Sequence, residues 1–253
     1  MIIIKNEKEI EIMRQAGKIL SGVMKKIVSY VRQGISTLEL DQLAEKLIIQ
    51  EGAKPGFKGY GDKENPYPAT LCASINEEVV HGIPRKDKIL KNGDIIGLDC
   101  GVKYNEYYSD MATTVAVGEI PYKTQELMNT TKGSLEKAIE NIREGVHLGD
   151  ISHLIQSFIE KKGFSVVRQL AGHGVGKELH EDPIILNYGK KGTGPVLKSG
   201  MVLAFEPMVN IGDWRIKELK DDWTIATEDG SLSAHFEHTI LVTKQGVEVL
   251  TKM

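Results

Sequence analysis

The sequence contains an internal repeat, and this repeat limits the folds that are open to the chain. Each half begins with an amphipathic helix and a second helix, both of which end at a glycine. Later in each half, and in the same order, an H-x-x-P segment is followed by a Lys-x-Gly turn and an apolar strand that ends in a carboxylate. Matching features lie about 100 to 110 residues apart, a period typical of a duplicated half-domain rather than of a solenoid. The sequence therefore predicts two halves, roughly residues 7–117 and 122–250, around a shared cleft.

Capping residues and helical periodicity define the four predicted helices. Asn6 with Glu9, and Ser36 with Glu39, have the spacing of capping boxes at the starts of the first two helices. The helices of the second half carry apolar residues at Leu127, Leu135, Ile139 and Ile142, and at Ile151, Leu154, Ile155, Phe158 and Ile159. Residues 89–117 are instead rich in β-type apolar runs, and residues 54–68 have the Gly and Pro content of a loop. Together these patterns predict an α+β fold.

Composition excludes several classes of protein. The net charge of -3 gives no electrostatic reason to expect nucleic acid or an anionic membrane as a partner. Two cysteines, Cys72 and Cys100, are too few for a disulfide framework in a chain of 253 residues, so we expect a reducing cytoplasm. The N-terminus lacks the apolar region of a signal peptide, and no apolar stretch is long enough to cross a bilayer.

Four acidic residues lie inside or against strand-like apolar runs: Asp99, Asp110, Glu206 and Glu237. Taken singly, each is more often a strand-end acid that reaches solvent or pairs with Lys or Arg. Burying an ionised carboxylate without a partner costs several kcal/mol, and no Lys or Arg lies in the same runs to compensate all four. A pair of divalent cations would do so, and bridging carboxylates are typical of two-metal hydrolytic sites. The four acids therefore predict such a site.

The histidines occur in two contexts. His173 is flanked by glycines in the segment Gly172–Gly176, where small neighbours allow close approach of other groups. This segment is not a dinucleotide-binding loop, because its spacing is G-x-G-x-G and no βαβ unit with a ribose-binding acid follows. His81 and His180 each begin an H-x-x-P segment, and either one alone is more often a surface or capping residue. A serine nucleophile is not indicated, since the sequence contains no G-x-S-x-G motif.

Several motifs, in this order, resemble those of the bacterial-type type I methionine aminopeptidases. They are His81–Pro84, Asp99-x-Gly101 with Tyr108-x-Asp110, Gly172–Gly176 with His180–Pro183, Phe205–Pro207, and Ser231-x-Ser233 with Phe236–Thr239. The resemblance extends over nearly the whole chain. It implies the pita-bread fold, with two pseudo-symmetric halves around an antiparallel sheet and helices outside, in a single catalytic metallopeptidase domain over residues 1–253.

The resemblance also assigns ligands for two metal ions. One ion would bind His173 and Glu206, the other would bind Asp99, and Asp110 and Glu237 would bridge both. Because oxygen donors dominate this set, the expected ions are Co, Mn, Fe or Zn.

Further roles at the substrate follow from the same resemblance. Glu206 would carry the proton, His180 would stabilise the oxyanion, and His81 would contact the scissile amide and the leaving group. The residues expected to bind substrate or border the methionine pocket are Tyr67, Cys72, His81, Leu179, His180 and Trp223. The chain departs from the enteric-type pattern at its pocket rim, where residues 64–71 read ENPYPATL and Leu179 replaces a common aromatic.

The expected activity is removal of the initiator methionine from nascent or newly made proteins, with preference for a small second residue. The partner is thus a peptide that begins with Met; we expect a monomer, and a transient ribosome contact is left open. One alternative is a prolidase or aminopeptidase P, which usually has an extra N-terminal domain for which the early first helix leaves no room. The other is a non-catalytic binding module on the same fold, which typically lacks one or more of the five ligands that are all filled here.

Overall fold

The computed structural model describes all 253 residues. The four helices are α1 (Glu7–Val28), α2 (Thr37–Gln50), α3 (Tyr122–Asn141) and α4 (Leu148–Glu160). The strands are β1 (Lys54–Pro55), β2 (Leu71–Ile75), β3 (Glu78–Val80), β4 (Ile95–Tyr104), β5 (Tyr107–Ala116), β6 (Ser165–Val166), β7 (Ala171–Gly174), β8 (Glu181–Leu186), β9 (Val202–Phe205), β10 (Met208–Asn210), β11 (Ile216–Glu218), β12 (Ile225–Thr227), β13 (Ser233–His235), β14 (His238–Val242) and β15 (Val247–Val249). No helix has the length and apolar character needed to cross a membrane.

The first two helices begin where their capping residues predict. The Asn6 side chain accepts hydrogen bonds from the Lys8 and Glu9 N–H groups, and the Glu9 carboxylate accepts one from the Asn6 N–H. Ser36 and Glu39 form the same reciprocal pair at α2. Capping boxes of this kind satisfy backbone donors that the first turn of a helix leaves without partners. Both predicted helix starts are therefore confirmed.

Two antiparallel sheets form the centre of the molecule, one from each half. The first has the strand order β2-β4-β5, with β1 beside β2 on the same edge of β4, and the second has the order β15-β14-β9-β7-β8. The series β2-β4-β5 and β7-β9-β14 occur in the same chain order and pair in the same way. Helices α1 and α2 cover the first sheet, α3 and α4 pack with the second, and each half has its own apolar core. This architecture confirms the predicted α+β pita-bread fold.

The repeat extends to single backbone hydrogen bonds. Gly34 and Gly145, which follow α1 and α3, both have φ of 88°. The Gly34 N–H donates to the Leu90 carbonyl, and the Gly145 N–H donates to the Leu197 carbonyl, each at 2.9 Å. Positive φ of this size favours glycine, which has no Cβ to collide with the backbone. The two halves thus use glycine for the same turn at equivalent positions.

Two details of the predicted repeat are wrong. Asp99 does not end its strand, because β4 continues to Tyr104 and pairs with β5 along its whole length, whereas Glu206 directly follows β9. The H-x-x-P segments also differ: His81 follows β3, while His180 precedes β8, and Pro183 lies within that strand. An edge strand such as β8 tolerates proline, because one side of it needs no N–H donors. These segments are therefore not equivalent parts of the repeat.

The two sheets meet where β5 lies beside the chain segment that connects β13 to β14. The Thr239 hydroxyl accepts from the Asp110 N–H at 3.0 Å and donates to the Asp110 carbonyl at 2.7 Å. The Thr114 hydroxyl makes the same pair of bonds with the backbone of His235, at 2.9 and 2.8 Å. Between these two threonines, the Glu237 N–H donates to the Ala112 carbonyl at 2.9 Å. This junction brings acidic residues from both halves together.

Candidate active site

The structure places all five predicted metal ligands at this junction. Asp99 and Asp110 lie on β4 and β5, and because Asp110 pairs with Gly101, the two aspartates occupy the same face of the hairpin. His173 lies on β7, Glu206 follows β9 and Glu237 precedes β14. Potential donor atoms of Asp110, His173 and Glu237 lie within 4.8 Å of one another. His173 Nε2 is 3.9 Å from Asp110 Oδ2 and 3.6 Å from Glu206 Oε1.

The four carboxylates repel one another in surroundings that contain no basic side chain paired with them. Burial raises the pKa of Asp99 to about 7. Burial, together with the neighbouring carboxylates, holds the pKa values of Asp110, Glu206 and Glu237 well above their ordinary values. One oxygen each of Asp99, Asp110 and Glu237 is buried without a hydrogen-bond partner. Oxygen atoms in this condition are suited to divalent cations, which would supply the missing positive charge.

His173 has the neutral form that a metal ligand requires. Its Nδ1 lies 2.9 Å from the Gly174 carbonyl, so that nitrogen carries the proton and Nε2 faces the acids with a free lone pair. Burial, together with a smaller effect of the neighbouring His180, lowers the His173 pKa to about 3. The flanking glycines have a packing role, because a Cβ at Gly172 or Gly174 would collide with the backbone of an adjacent strand. The glycine-rich segment therefore holds β7 close to its neighbours with His173 directed at the site.

A cavity of about 240 Å³ opens onto the acids. All six residues predicted to bind substrate or border the pocket line it: Tyr67, Cys72, His81, Leu179, His180 and Trp223. Sequence reasoning missed six further lining residues: Phe57, Tyr60, Val80, Leu170, Ala171 and Met208. Much of the remaining lining is apolar and includes Phe57, Tyr67 and Leu179. The rings of Tyr67 and Trp223 pack edge to face, with their centroids 5.1 Å apart. The cavity thus combines an acidic floor with an apolar pocket.

The two H-x-x-P histidines lie at this cavity rather than on an unrelated surface. His180 is exposed at the mouth, and its Nδ1 is hydrogen-bonded to the Tyr60 hydroxyl at 2.5 Å. Its ring stands perpendicular to that of His173, with centroids 4.2 Å apart. His81 adopts φ of 59°, an unusual conformation for a residue with a side chain and one that occurs mostly where function requires it. Burial lowers the His81 pKa to about 4, which keeps its imidazole neutral.

Two residues near the site have no counterpart in the sequence predictions. Tyr60 lies in the predicted loop and reaches His180, which is 120 positions away in the chain. His235 is buried, with Nε2 3.6 Å from Glu206 Oε2. For Tyr60, the aromatic residues among the loop glycines were an available signal. For His235 the sequence offers none, because a histidine within an apolar run resembles any buried core histidine.

Comparison with known proteins agrees with this geometry. The model of metallopeptidase family M24 matches residues 11–244. The methionine aminopeptidase of Clostridium acetobutylicum is 50% identical over 251 residues, which cover 99% of each chain. A crystal structure of methionine aminopeptidase from Thermotoga maritima superposes with a TM-score of 0.97 at 48% identity and covers 100% of both chains. Prolidase from Pyrococcus furiosus is more distant, with a TM-score of 0.81 and 27% identity, covering 99% of this chain and 66% of its own.

Proposed function

The chain belongs to metallopeptidase family M24, and from this premise we propose how its residues remove an N-terminal methionine. Its full-length relatives are methionine aminopeptidases, and the type I resemblance seen in the sequence is confirmed. The protein is a metal-dependent hydrolase that removes the initiator methionine from its substrates. The prolidase alternative is not favoured, since the matching prolidase chains are longer and only 26% and 27% identical. The non-catalytic alternative is not favoured either, since the full-length relatives are methionine aminopeptidases.

Two divalent ions are the number that the donor set supports best. His173 and Glu206 would bind one ion, and Asp99 would bind the other. Asp110 and Glu237 would bind both ions. The unpartnered oxygens of Asp99, Asp110 and Glu237 support this assignment. The predominance of oxygen donors favours Mn, Fe, Co or Zn, and the choice among them is open. When bound, such ions polarise the scissile carbonyl and lower the pKa of water.

Three side chains of the protein would move or hold protons and charge. Glu206 accepts a proton from the attacking water on its carboxylate and returns it to the leaving amine nitrogen. His180 donates from Nε2 to the carbonyl oxygen as negative charge develops there, and the Tyr60 hydroxyl bond to Nδ1 supports that tautomer. His81 is neutral and contacts the nitrogen of the scissile amide.

The apolar end of the cavity would select the methionine side chain. Tyr67, Cys72 and Leu179 are each at most 3% exposed, and Trp223 closes the pocket beside Tyr67. An unbranched, polarisable thioether fills such a narrow apolar space better than a branched or charged side chain does. The second residue of the substrate would lie near His81 and His180 at the mouth, and the family resemblance implies that a small residue is preferred there.

A cytoplasmic location accompanies this function. Both cysteines are free and buried, and burial keeps the pKa of each thiol well above its ordinary value, so neither is suited to disulfide exchange. A cytoplasmic monomer that meets nascent chains at the ribosome would encounter its substrates as soon as their N-termini appear.

The observation that carries the proposal is the arrangement of five ligand side chains at one end of an apolar cavity. Release of methionine from Met-Ala-Ser, measured beside Met-Pro and Xaa-Pro peptides on metal-loaded enzyme, tests it. We expect cleavage of Met-Ala-Ser only, and its loss in Glu206→Gln with the circular dichroism spectrum unchanged. Preferential cleavage of the Xaa-Pro peptides, or full activity of Glu206→Gln, would contradict the proposal.

A further inference from the structure

His235 is a buried histidine for which neither the ligand set nor the substrate contacts have a use. It is the last residue of β13, its side chain is 3% exposed, and its Nε2 has no hydrogen-bond partner within the protein. Buried polar atoms in native proteins are nearly always paired, because an unpaired one loses its hydration without compensation. The position of this nitrogen therefore requires an explanation.

The backbone on both sides fixes where the imidazole lies. The Thr114 hydroxyl binds both the N–H and the carbonyl of His235, and β13 pairs with β10 so that His235 is opposite Met208. Met208 itself lies two residues after Glu206 and lines the cavity. His235 is thus held next to Glu206 and is not among the residues that line the cavity.

The Glu206 carboxylate lies between two imidazoles. Its Oε1 is 3.6 Å from His173 Nε2, and its Oε2 is 3.6 Å from His235 Nε2. Because His173 and Glu206 would hold the same ion, Oε1, the oxygen that faces His173, is the one that would bind it. Oε2 is left as the oxygen available for proton transfer, and His235 is the side chain that faces it.

Donation from His235 requires a proton on Nε2. An imidazole protonated on this nitrogen is a hydrogen-bond donor, and the Glu206 carboxylate is the acceptor that this buried, unpartnered atom faces.

We propose that His235 is a positioning residue that donates from Nε2 to Glu206 Oε2 and fixes the rotation of this carboxylate. The inference rests on the proton-carrying role proposed for Glu206. A contraction of a few tenths of an ångström would close the 3.6 Å separation to a hydrogen bond. Outer groups of this kind orient a ligand carboxylate so that its free oxygen points at the reacting atoms, and their loss affects turnover more than substrate affinity.

The test compares His235→Leu with His235→Gln in metal-saturated enzyme, with Met-Ala-Ser as substrate. The Leu side chain fills a similar volume without a donor, whereas the Gln amide restores an N–H near the position of Nε2. We expect His235→Leu to lower kcat about 10- to 100-fold, as loss of a residue that orients a metal ligand typically does. KM should stay within about twofold, and His235→Gln should recover most of kcat. His238→Leu is the matched control, because His238 borders Glu237 in sequence but hydrogen-bonds Thr251 and forms neither a hydrogen bond nor an ion pair with Glu206.

Each outcome decides the proposal. Wild-type kcat in His235→Leu would overturn it, and so would equal losses in the Leu and Gln variants, since the side chain would then serve packing alone. A loss of the same size in His238→Leu would likewise reduce His235 to a structural residue. Two further measurements separate the levels: an inactive wild type overturns the proposed function, and full activity of Glu206→Gln overturns the role of Glu206. An active wild type with an inactive Glu206→Gln and an active His235→Leu overturns only the role of His235.

Discussion

The two halves of the molecule share a scaffold but contribute differently to the site. Both contain two helices, a glycine turn at φ of 88° and three strands paired in the same order. In the first half, β4 and β5 are joined by a two-residue turn at Asn105 and Glu106, both with positive φ, as in tight hairpins. In the second half, residues 206–237 separate the equivalent strands β9 and β14 and form the short strands β10 to β13.

We call residues 206–237 the insertion, because the first half has only a two-residue turn at the equivalent place. The insertion adds several of the predicted site residues to the second half. Glu206 and Glu237 are its first and last residues, and Trp223, Met208 and His235 lie within it. The first half supplies Asp99 and Asp110 from a rigid hairpin, where they project from the same face. The repeated scaffold thus holds the two aspartates, whereas the segment 206–237 holds the proposed proton carrier Glu206 and part of the cavity lining.

The largest effect is expected from removing a ligand of the first half. Asp99→Ala should lower Met-Ala-Ser cleavage by about 10³-fold or more, because metal ions provide several kcal/mol of charge stabilisation in the transition state. Circular dichroism should show an intact fold. Activity within about tenfold of wild type would mean that the second half forms a competent site alone.

Metal binding should stabilise the junction of the halves in a pH-dependent manner. In the folded, metal-free protein, burial raises the pKa of Asp99 from 3.8 to about 7. A group whose pKa is higher in the folded state stabilises the fold below its unfolded-state pKa, and this stabilisation is lost as the pH rises through its folded-state pKa. The metal-free protein should therefore lose stability between about pH 4 and pH 7. Bound ions remove this loss, and a ligand at 100 times its Kd contributes about 2.7 kcal/mol. Melting temperatures with and without Mn at about pH 5 and pH 8 should therefore differ more at the higher pH; an equal difference at both would contradict the prediction.

A substitution within the insertion should weaken substrate binding more than it lowers kcat. Trp223→Ala removes the ring that packs against Tyr67 beside the apolar pocket. KM for Met-Ala-Ser should rise about tenfold, corresponding to about 1.4 kcal/mol, while kcat changes less. Steady-state kinetics measures both values. An unchanged KM would show that Trp223 does not contribute to binding of the methionine side chain.

The smallest effects test the equivalence of the halves themselves. Gly34→Ala and Gly145→Ala should each lower the free energy of unfolding by about 1 to 2 kcal/mol, since both glycines have φ of 88° and a Cβ at either would meet no atom within 4 Å. Urea denaturation should give two values that agree within about 0.5 kcal/mol, with activity unchanged. Gly22→Ala, in the interior of α1, should instead stabilise the protein by about 0.5 to 1 kcal/mol. Unequal costs at Gly34 and Gly145 would show that the turns differ energetically.

Local signals predict the scaffold because they act over a few residues. The capping boxes at Asn6 and Ser36 and the positive-φ glycines are encoded within one turn of chain. The acids were also recognisable, because an ionised carboxylate inside an apolar run needs compensation wherever the run lies. These features explain why the repeat and the four carboxylates could be read from one sequence.

The rest of the site depends on contacts between distant parts of the chain. His173 was identified by family resemblance, since glycine neighbours do not distinguish a metal ligand from a residue that packs closely. The contact of Tyr60 with His180, and that of Glu206 with His235, arise only when the two sheets and the insertion assemble. No local periodicity encodes such contacts, so Tyr60 and His235 required the structure.

Metal stoichiometry tests most directly whether both halves build one two-ion site. Chelator-treated enzyme titrated with Mn by calorimetry should bind two ions per chain, with methionine release returning as they bind. Asp99→Ala should bind one ion fewer and stay inactive. Full activity of the chelated wild type, or an unchanged number of bound ions in Asp99→Ala, would contradict a site assembled from both halves.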